Sequence, residues 1–175
     1  MDRVEVVEHS CDVLMVGGGL AGCMGAIRAG ELNDRVILVD KSNPARSGCA
    51  TTGVDHLWAY FPEVQQAEGV SVEDMVDDIV YNIGKGLANR EVVQYVVETS
   101  LDRILDLERF GIKVRYEDST LPGKFRLQYQ LHASRNTLHF DGRDIKKVLA
   151  REVKERGVEV VGRVMVTDLL VEDGQ

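Results

Sequence analysis

The stretch VLMVGGGLAGCMGAIRA, residues 13–29, limits the possible folds more than any other part of this sequence. Four apolar residues run into a turn with the pattern G-x-G-x-x-G, formed by Gly17, Gly19 and Gly22, and a segment without helix breakers follows. A buried strand, a glycine turn and a helix, in this order, are the context in which the pattern indicates a dinucleotide-binding site. Gly17 permits the tight turn, Gly19 lets the backbone approach a pyrophosphate, and Gly22 lets the helix pack against the strand.

The next apolar run, RVILVD, supplies the second half of the pattern. It ends at Asp40, about 20 residues beyond the glycines, where a carboxylate can bond the ribose hydroxyls of an adenosine. An acid at this position disfavours a 2′-phosphate, so NADP is not expected. The helix that begins at Leu20 and Ala21 offers free N–H groups and a partial positive charge to the phosphates. These features do not distinguish NAD from FAD.

Three further helices are predicted from the spacing of apolar residues. They are expected over residues 71–84, 91–110 and 143–156. Ser71 and Asp74 form an S-x-x-D capping pattern at the start of the first one. Gly111 and Gly157 follow the other two and are expected to end them.

The strand predictions complete the expected architecture. The alternating segment 124–132 predicts an antiparallel strand, and segment 158–174 predicts a strand, a turn and a second strand. We therefore predict an α/β fold, a doubly wound Rossmann-like dinucleotide-binding domain with a helical insertion. The sheet has few predicted parallel strands, so we expect residues 1–175 to be an incomplete, N-terminal fragment of such a domain.

The loop ARSGCATTG, residues 45–53, is small, hydroxyl-rich and glycine-rich, so it can lie flat against a ligand. Together with the glycine turn and the segment 142–174, it makes the chain similar to the flavoprotein subunits of fumarate reductase and succinate dehydrogenase. L-aspartate oxidase and the adenylylsulfate reductase α subunit belong to the same superfamily, the FAD-dependent oxidoreductase 2 group. The resemblance implies FAD as the cofactor. It adds these cofactor-binding residues to the fingerprint: Lys41, Ser47, Gly48, Thr51, Thr52, Gly53 and Val166.

Two departures from the family pattern refine this expectation. Succinate dehydrogenases and quinol fumarate reductases carry a histidine directly after the loop serine, and that histidine bonds covalently to FAD. Here the position is Gly48, which implies FAD held without a covalent bond, as in L-aspartate oxidase and adenylylsulfate reductase. A family glutamine before the final glycine of the loop is replaced by Thr51 and Thr52.

Two residues are candidates for chemistry, and no motif fixes either of them. His56 follows the loop and can stabilise negative charge on a reduced flavin or a substrate carboxylate, or it can simply pack the loop with Trp58. Arg135, between His132 and His139, can bind an oxyanion or lie in a solvated loop. No metal site is expected, because the three cysteines form no C-x-x-C pair. Cys11 and Cys23 are expected to be small buried residues.

Charge and resemblance together set the expected partners. The net charge of −8, without a Lys/Arg cluster, argues against a nucleic-acid surface. No apolar run approaches the roughly 20 residues of a membrane span, so we expect a cytoplasmic protein that reaches a membrane only through a partner. The resemblance implies a dicarboxylate or sulfur oxyanion as the small-molecule substrate and, as electron partner, an iron–sulfur subunit.

The resemblance also implies that this chain alone does not turn over. The family's catalytic Arg and His residues lie on a capping domain and in later segments, both absent from residues 1–175. The main prediction is therefore the FAD-binding part of a flavoprotein oxidoreductase. The alternatives are an NAD-binding Rossmann domain, a protein like the α subunit of adenylylsulfate reductase, and a non-catalytic truncated flavoprotein module.

Overall fold

The computed structural model describes residues 6–33, 35–116, 124–128 and 136–171. The chain forms two compact units. The first combines the chain before residue 53 with the chain after residue 143, and the second is Gly53–Arg143. The described elements, in chain order, are β1 (Val13–Val16), α1 (Leu20–Leu32), β2 (Val36–Asp40), β3 (His56–Trp58), α2 (Pro62–Gln65), α3 (Val72–Asp77), α4 (Arg90–Arg109), β4 (Leu127–Gln128), β5 (Thr137–His139), α5 (Ile145–Glu155) and β6 (Glu159–Gly162).

The first unit contains a parallel sheet with the strand order β1-β2-β6. Leu14 pairs with Ile37 in β2, and Leu38 of β2 pairs with Val160 of β6. All five residues of β2 are buried, as expected for the central strand of a parallel sheet. Helices α1 and α5 pack against one another. This arrangement corresponds to the first three strands of a Rossmann half and confirms the predicted fold class.

One surface of this sheet carries exposed apolar side chains. Leu14 is 50% exposed and Val16 is 60% exposed, whereas Val13 and Met15 are half-buried. A continuous apolar run in a parallel strand usually means burial on both faces. Leu14 and Val16, whose side chains point to the opposite face of the sheet from Val13 and Met15, are therefore open to solvent in this structure.

The second unit contains α3 and α4, which pack around a core of Tyr60, Met75, Val76, Val80 and Val97. The helical insertion is confirmed, and the predicted capping box at its start is present in full. The first predicted helix, however, does not stay α-helical to residue 84. Its second half, Asp78–Ile83, is a π-helix, so the N–H of Gly84 reaches the carbonyl of Ile79, five residues back.

The other predicted helices form close to their expected ends. Gly111 and Gly157 follow α4 and α5 with positive φ angles of +94° and +72°, the left-handed conformation that glycine adopts without a steric penalty. The buried face of α4 centres on Val97 and Ile104. Leu101 and Leu105 of the same helix are only half-buried.

The insertion also contains an antiparallel sheet with the order β3-β5-β4. The strand predicted over residues 124–132 forms at Leu127–Gln128, and its remainder beyond residue 128 lies outside the described residues. The second strand predicted within 158–174 is wrong for the described part, since residues 163–171 contain no strand. Arg163 has a φ of +63°, which turns the backbone out of the extended conformation directly after β6.

Candidate functional site

The glycine turn between β1 and α1 is built as the fingerprint requires. Gly17 has a φ of +96°, which side-chain-bearing residues rarely adopt. A Cβ atom on Gly22 would collide with the carbonyl oxygen of Gly17, so only glycine lets α1 begin so close to the turn. A Cβ atom on Gly19 would meet no protein atom within 4 Å. The space beside Gly19, at the N-terminus of α1, is therefore open to a ligand. Leu20 and Ala21 form the first turn of that helix.

Asp40 lies at the end of β2, next to this turn, and it is 7% exposed. Its Oδ2 accepts hydrogen bonds from the N–H of Gly18 (2.6 Å) and the hydroxyl of Ser47 (3.1 Å). Its Oδ1 accepts one from the N–H of Ser42 (2.7 Å). Burial raises the pKa of Asp40, but these hydrogen bonds and the positive charge of Lys146 outweigh that effect, so the pKa lies below its ordinary value. The carboxylate is therefore ionised at neutral pH and closes the turn.

The loop after β2 folds back onto the glycine turn. Besides Asp40, the hydroxyl of Ser47 contacts the carbonyl oxygen of Gly18 at 3.2 Å. Gly48 has a φ of +82°, and a Cβ atom on it would lie 2.9 Å from the Cα of Gly19. The structure thus brings together the glycine turn and the loop, two glycine-rich segments that are well separated in the sequence.

The threonines of this loop mainly satisfy its own backbone. Residues Cys49–Thr52 form a 3₁₀ turn. The hydroxyl of Thr51 lies within hydrogen-bond distance of the carbonyls of Arg46 (2.9 Å) and Gly48 (2.6 Å), and that of Thr52 lies 3.2 Å from the carbonyl of Cys49. Their contacts with a cofactor remain predictions.

The remaining predicted cofactor residues are exposed. Lys41, Gly53 and Val166 all lie at the surface, and Gly53 has a φ of +102°. The chain after β6 returns to the end of β2, where the N–H of Val164 donates to the carbonyl of Asp40 (3.0 Å). Val166 thus lies two residues beyond Val164, which bonds directly to Asp40 at the end of β2.

A cleft of about 290 Å³ lies at the carboxyl ends of β2 and β6. Its walls are Ser42, Asn43, Pro44 and Ala45 after β2, Ala150, Val153 and Lys154 of α5, and Val160, Gly162 and Arg163 at β6. Ligands of open α/β sheets bind outside the carboxyl ends of the strands. Sequence reasoning did not identify this cleft, because its walls come from three segments that have no common motif.

Lys146 is the polar residue of the first unit that sequence reasoning missed most clearly. No motif points to it, yet it is 3% exposed and its ammonium group donates to the carbonyl oxygen of Gly18. Its position in α5, one residue after Ile145 and three before Leu149, places it on the edge of the apolar face. This position beside the apolar face is the sequence signal that could have identified Lys146 as buried.

The candidate catalytic residues belong to the second unit. The Nδ1 atom of His56 lies 2.8 Å from the Oδ1 of Asp55, and its Nε2 lies 3.3 Å from the Oε1 of Gln128. The hydrogen bond with Asp55 raises the pKa of His56, an effect that partial burial opposes and Gln128 supports. The ring of His139 lies 4.7 Å from that of His56, centroid to centroid. Trp58 packs against the core of this unit, as its packing interpretation predicts.

Several other predicted features can be placed. Arg135 and His132 lie outside the described residues. Cys23 is buried as expected, whereas Cys11 is only half-buried. Within the described part of the chain, no cluster of His, Cys, Asp and Glu side chains is arranged to hold a metal ion. None of the helices described has both the length and the apolar character that a membrane crossing requires.

The residues of the first unit fit a dinucleotide. The open space at Gly19 is a cradle that any larger residue would partly fill, and it lies where a helix N-terminus presents N–H groups to an anion. The buried carboxylate of Asp40 accepts from the N–H of the neighbouring Gly18, and Pro44, which lies against Gly18, is one wall of the cleft at the strand ends. The site thus offers donors for phosphates and an acceptor at the position of a ribose.

Comparison with known proteins supports the same interpretation. Residues 12–175 match the family model of the FAD binding domain. The chain is 33% identical over 171 residues to a fumarate reductase (CoM/CoB) subunit of Methanothermobacter marburgensis, a match that covers 95% of this chain and 30% of that protein. It is 32% identical over 92 residues to the alpha subunit of adenylylsulfate reductase from Megalodesulfovibrio gigas, a match that covers 46% and 14%.

A solved structure gives the same result for the fold. The open conformation of a flavocytochrome c3 fumarate reductase superimposes with a TM-score of 0.67 and 26% identity, over 93% of this chain and 28% of that one. The chain spans less than a third of the length of each of these three relatives.

Proposed function

Because this chain belongs to the FAD-binding domain family, we propose that it seats FAD without a covalent bond in a flavoprotein oxidoreductase of the fumarate reductase and succinate dehydrogenase type. Residues 1–175 are, in this proposal, the N-terminal part of the FAD-binding domain. The observation that carries the proposal is the contact between the two glycine-rich segments beside Asp40.

The chain's own residues bind and orient the cofactor. The N–H groups at the start of α1 and of Gly19 bind the pyrophosphate, and Asp40 orients the adenosine ribose. FAD, once bound, supplies the hydride or electron exchange with a substrate. Gly17, Gly22 and the Ser47 loop contribute by keeping the turn in its binding conformation.

The absence of a side chain at Gly48 supports non-covalent binding. The family's flavin-linking histidine would stand at this position. A Cβ atom here would lie 2.9 Å from the Cα of Gly19, and the φ of +82° disfavours any side chain. A linking histidine therefore needs a different backbone path, and the loop packs directly on the glycine turn instead.

The absorption spectrum of the purified chain, recorded before and after acid precipitation, tests this function. We expect a flavin spectrum that leaves with the supernatant, because no bond to the protein holds it. A flavin that stays with the precipitate contradicts non-covalent binding. A chain that stays colourless with added FAD but binds NADH in a fluorescence titration would replace the proposal by an NAD-binding domain.

The substrate and the partner are proposed from the relatives. One relative is named as a fumarate reductase and another as an adenylylsulfate reductase, which supports a dicarboxylate or a sulfur oxyanion. We propose that the electron partner is an iron–sulfur subunit and that the protein is cytoplasmic, with membrane contact only through a partner. The isolated chain is expected not to turn over. If its bound FAD, reduced with dithionite under anaerobic conditions, is reoxidised by added fumarate, that expectation is wrong.

His56 is the residue of the insertion that we propose stabilises negative charge on a reduced flavin or a substrate carboxylate. Its hydrogen bond to Asp55 keeps the ring protonated to higher pH than an isolated histidine, which suits a group that stabilises negative charge. Arg135 remains a proposed oxyanion ligand. A titration of the chain by NMR should show the His56 ring with a higher pKa than in Asp55→Asn, and equal values would remove this support.

A further inference from the structure

A buried lysine lies beneath the glycine turn. Lys146 of α5 is 3% exposed, and its ammonium group donates to the carbonyl oxygen of Gly18 and lies 3.3 Å from the Sγ of Cys23. Lysines are almost never fully buried unless they are paired. The next residue of the same helix, Lys147, has a side chain that is 77% exposed. The burial of Lys146 is therefore specific to its position and not a property of the helix.

Lys146 is one of several groups that hold Gly18 from both sides. The N–H of Gly18 donates to Asp40 at 2.6 Å. Its carbonyl oxygen accepts from Lys146 and from the Sγ of Cys23 at 3.4 Å, and it lies 3.2 Å from the hydroxyl oxygen of Ser47. Both peptide planes that flank Gly18 are thus fixed, although glycine is the residue with the greatest backbone freedom.

The orientation of one peptide plane determines where the next N–H points. The C=O of Gly18 and the N–H of Gly19 belong to the same planar trans peptide, so they point in opposite directions. Since the carbonyl points to the buried ammonium of Lys146, the N–H of Gly19 points away from it. Within the described residues, no acceptor receives this N–H, and the space beside Gly19 is open.

Lys146 also balances charge next to the site. The ionised carboxylate of Asp40 lies beside the turn, where it would repel an incoming pyrophosphate. The ammonium of Lys146 acts on Asp40 through its positive charge and lowers the pKa of that carboxyl group. The same charge offsets the repulsion that a second anion meets at the turn.

We propose that Lys146 is a positioning residue for the FAD pyrophosphate, which fixes the Gly18 carbonyl inward so that the Gly19 N–H faces the phosphate. This inference rests on the proposed FAD function. Lys146 itself does not touch the cofactor in this arrangement; it acts through the Gly18–Gly19 peptide.

The test compares Lys146→Met with Lys147→Met in the 175-residue chain. Both variants remove one lysine of the same helix, and only the first removes the contact with Gly18. FAD affinity is measured by quenching of flavin fluorescence. Lys146→Met is expected to raise the FAD Kd at least about tenfold, because the Gly19 N–H would no longer be held in position to bond the charged phosphate. This is the effect of one lost hydrogen bond to a charged group. Lys147→Met is expected to stay within about twofold, as a solvent-exposed ion pair contributes little.

A second measurement needs no cofactor. In the ¹⁵N–¹H spectrum of the cofactor-free chain, the Gly18 and Gly19 amide resonances should move in Lys146→Met and stay in place in Lys147→Met. If wild type fails to bind FAD while these resonances respond as expected, the proposed function is wrong and the positioning of a pyrophosphate falls with it, although Lys146 still orients the Gly18–Gly19 peptide. If wild type binds FAD and Lys146→Met leaves both the Kd and the Gly19 resonance unchanged, the positioning role is overturned.

Folding is controlled by far-UV circular dichroism and by the urea midpoint. Lys146→Gln, which keeps a donor without the charge, is measured in parallel and is expected to bind FAD with an affinity between wild type and Lys146→Met. Loss of the native circular dichroism spectrum in both Lys146→Met and Lys146→Gln would also overturn the proposal, because Lys146 would then be needed for the folding of α5 rather than for the orientation of the turn.

Discussion

Replacement of Gly19 by alanine separates the binding role of the glycine turn from its folding role. Gly19 has ordinary backbone angles, φ −66° and ψ −170°, and an added Cβ atom meets no protein atom within 4 Å. Alanine is less favourable than glycine at an N-cap by roughly 0.5–1 kcal/mol, but it also restricts the unfolded chain by about 0.4–1 kcal/mol. These effects nearly cancel, so the free energy of unfolding should change by less than about 1 kcal/mol.

FAD affinity should fall sharply in the same variant. An N–H···O bond brings its nitrogen and oxygen to about 2.9 Å. A methyl carbon keeps an oxygen at about 3.3 Å or beyond, so a phosphate at this turn is pushed off at least one donor. A lost hydrogen bond to a charged group costs about 1.5–3 kcal/mol, which corresponds to a Kd about 10- to 100-fold higher.

The matched control is Gly25→Ala, two positions beyond Cys23 in the same helix. Its Cβ atom meets only the flexible end of Met15, which can move aside. Fluorescence titration with FAD and urea unfolding are measured for wild type and both variants. Gly25→Ala should bind FAD within about twofold of wild type, because its methyl group faces β1 and not the turn. If Gly19→Ala binds FAD as tightly as Gly25→Ala, the turn is not the pyrophosphate site.

Three other outcomes follow from the site and its surroundings. Asp40→Asn leaves one acceptor oxygen for the two N–H groups that Asp40 serves, so urea unfolding at pH 7 should show a loss of about 1–3 kcal/mol. Because the pKa of Asp40 is lowered in the folded state, its stabilisation is present above the unfolded pKa and is lost as the pH falls through the folded one; a gap to wild type that does not shrink there argues against this account. Gly48→His should yield no acid-stable flavin and weaker FAD binding by fluorescence, since its Cβ atom crowds Gly19; covalent flavin in this variant would show that the loop can move aside. Ser71→Ala removes the capping box of α3 and should lower the free energy of unfolding by about 1 kcal/mol, whereas an unchanged urea midpoint would mean that the cap is not formed in solution.

The sequence predicted those parts of the site that local patterns encode. The Gly17 turn, the start of α1 at Leu20 and the acidic strand end at Asp40 are each set by neighbouring residues, and the structure confirms their backbone positions. The parallel pairing of β1 with β2 follows as well, because both strands read as continuous apolar runs. Whether these residues contact FAD stays a prediction.

Features that depend on distant contacts could not be predicted in this way. Lys146 has a partner far away in the chain, and a lysine next to an apolar face is ordinarily solvated. The π-helix over Asp78–Ile83 is only six residues long, and over so short a segment its apolar spacing cannot be distinguished from that of an α-helix. Within the described residues, no strand follows Arg163, whose backbone is left-handed. Because this residue is not a glycine, the sequence gives no signal for that conformation.

The hydrogen bonds that hold Gly18 also imply an order of events in folding. Its hydrogen bond with Asp40 closes a separation of 22 residues, whereas the one with Lys146 closes a separation of 128. If the insertion is still unfolded, loop-closure entropy makes the longer closure costlier by about 1.6 kcal/mol. We expect the strand–turn–helix segment to form early with a loosely oriented turn, and FAD affinity to appear only when α5 docks. In stopped-flow refolding, quenching of flavin fluorescence should therefore lag behind the gain of helical signal. The large insertion thus acts as a delay: the protein acquires its cofactor site last, once the two ends of the first unit, which the insertion separates along the chain, have met.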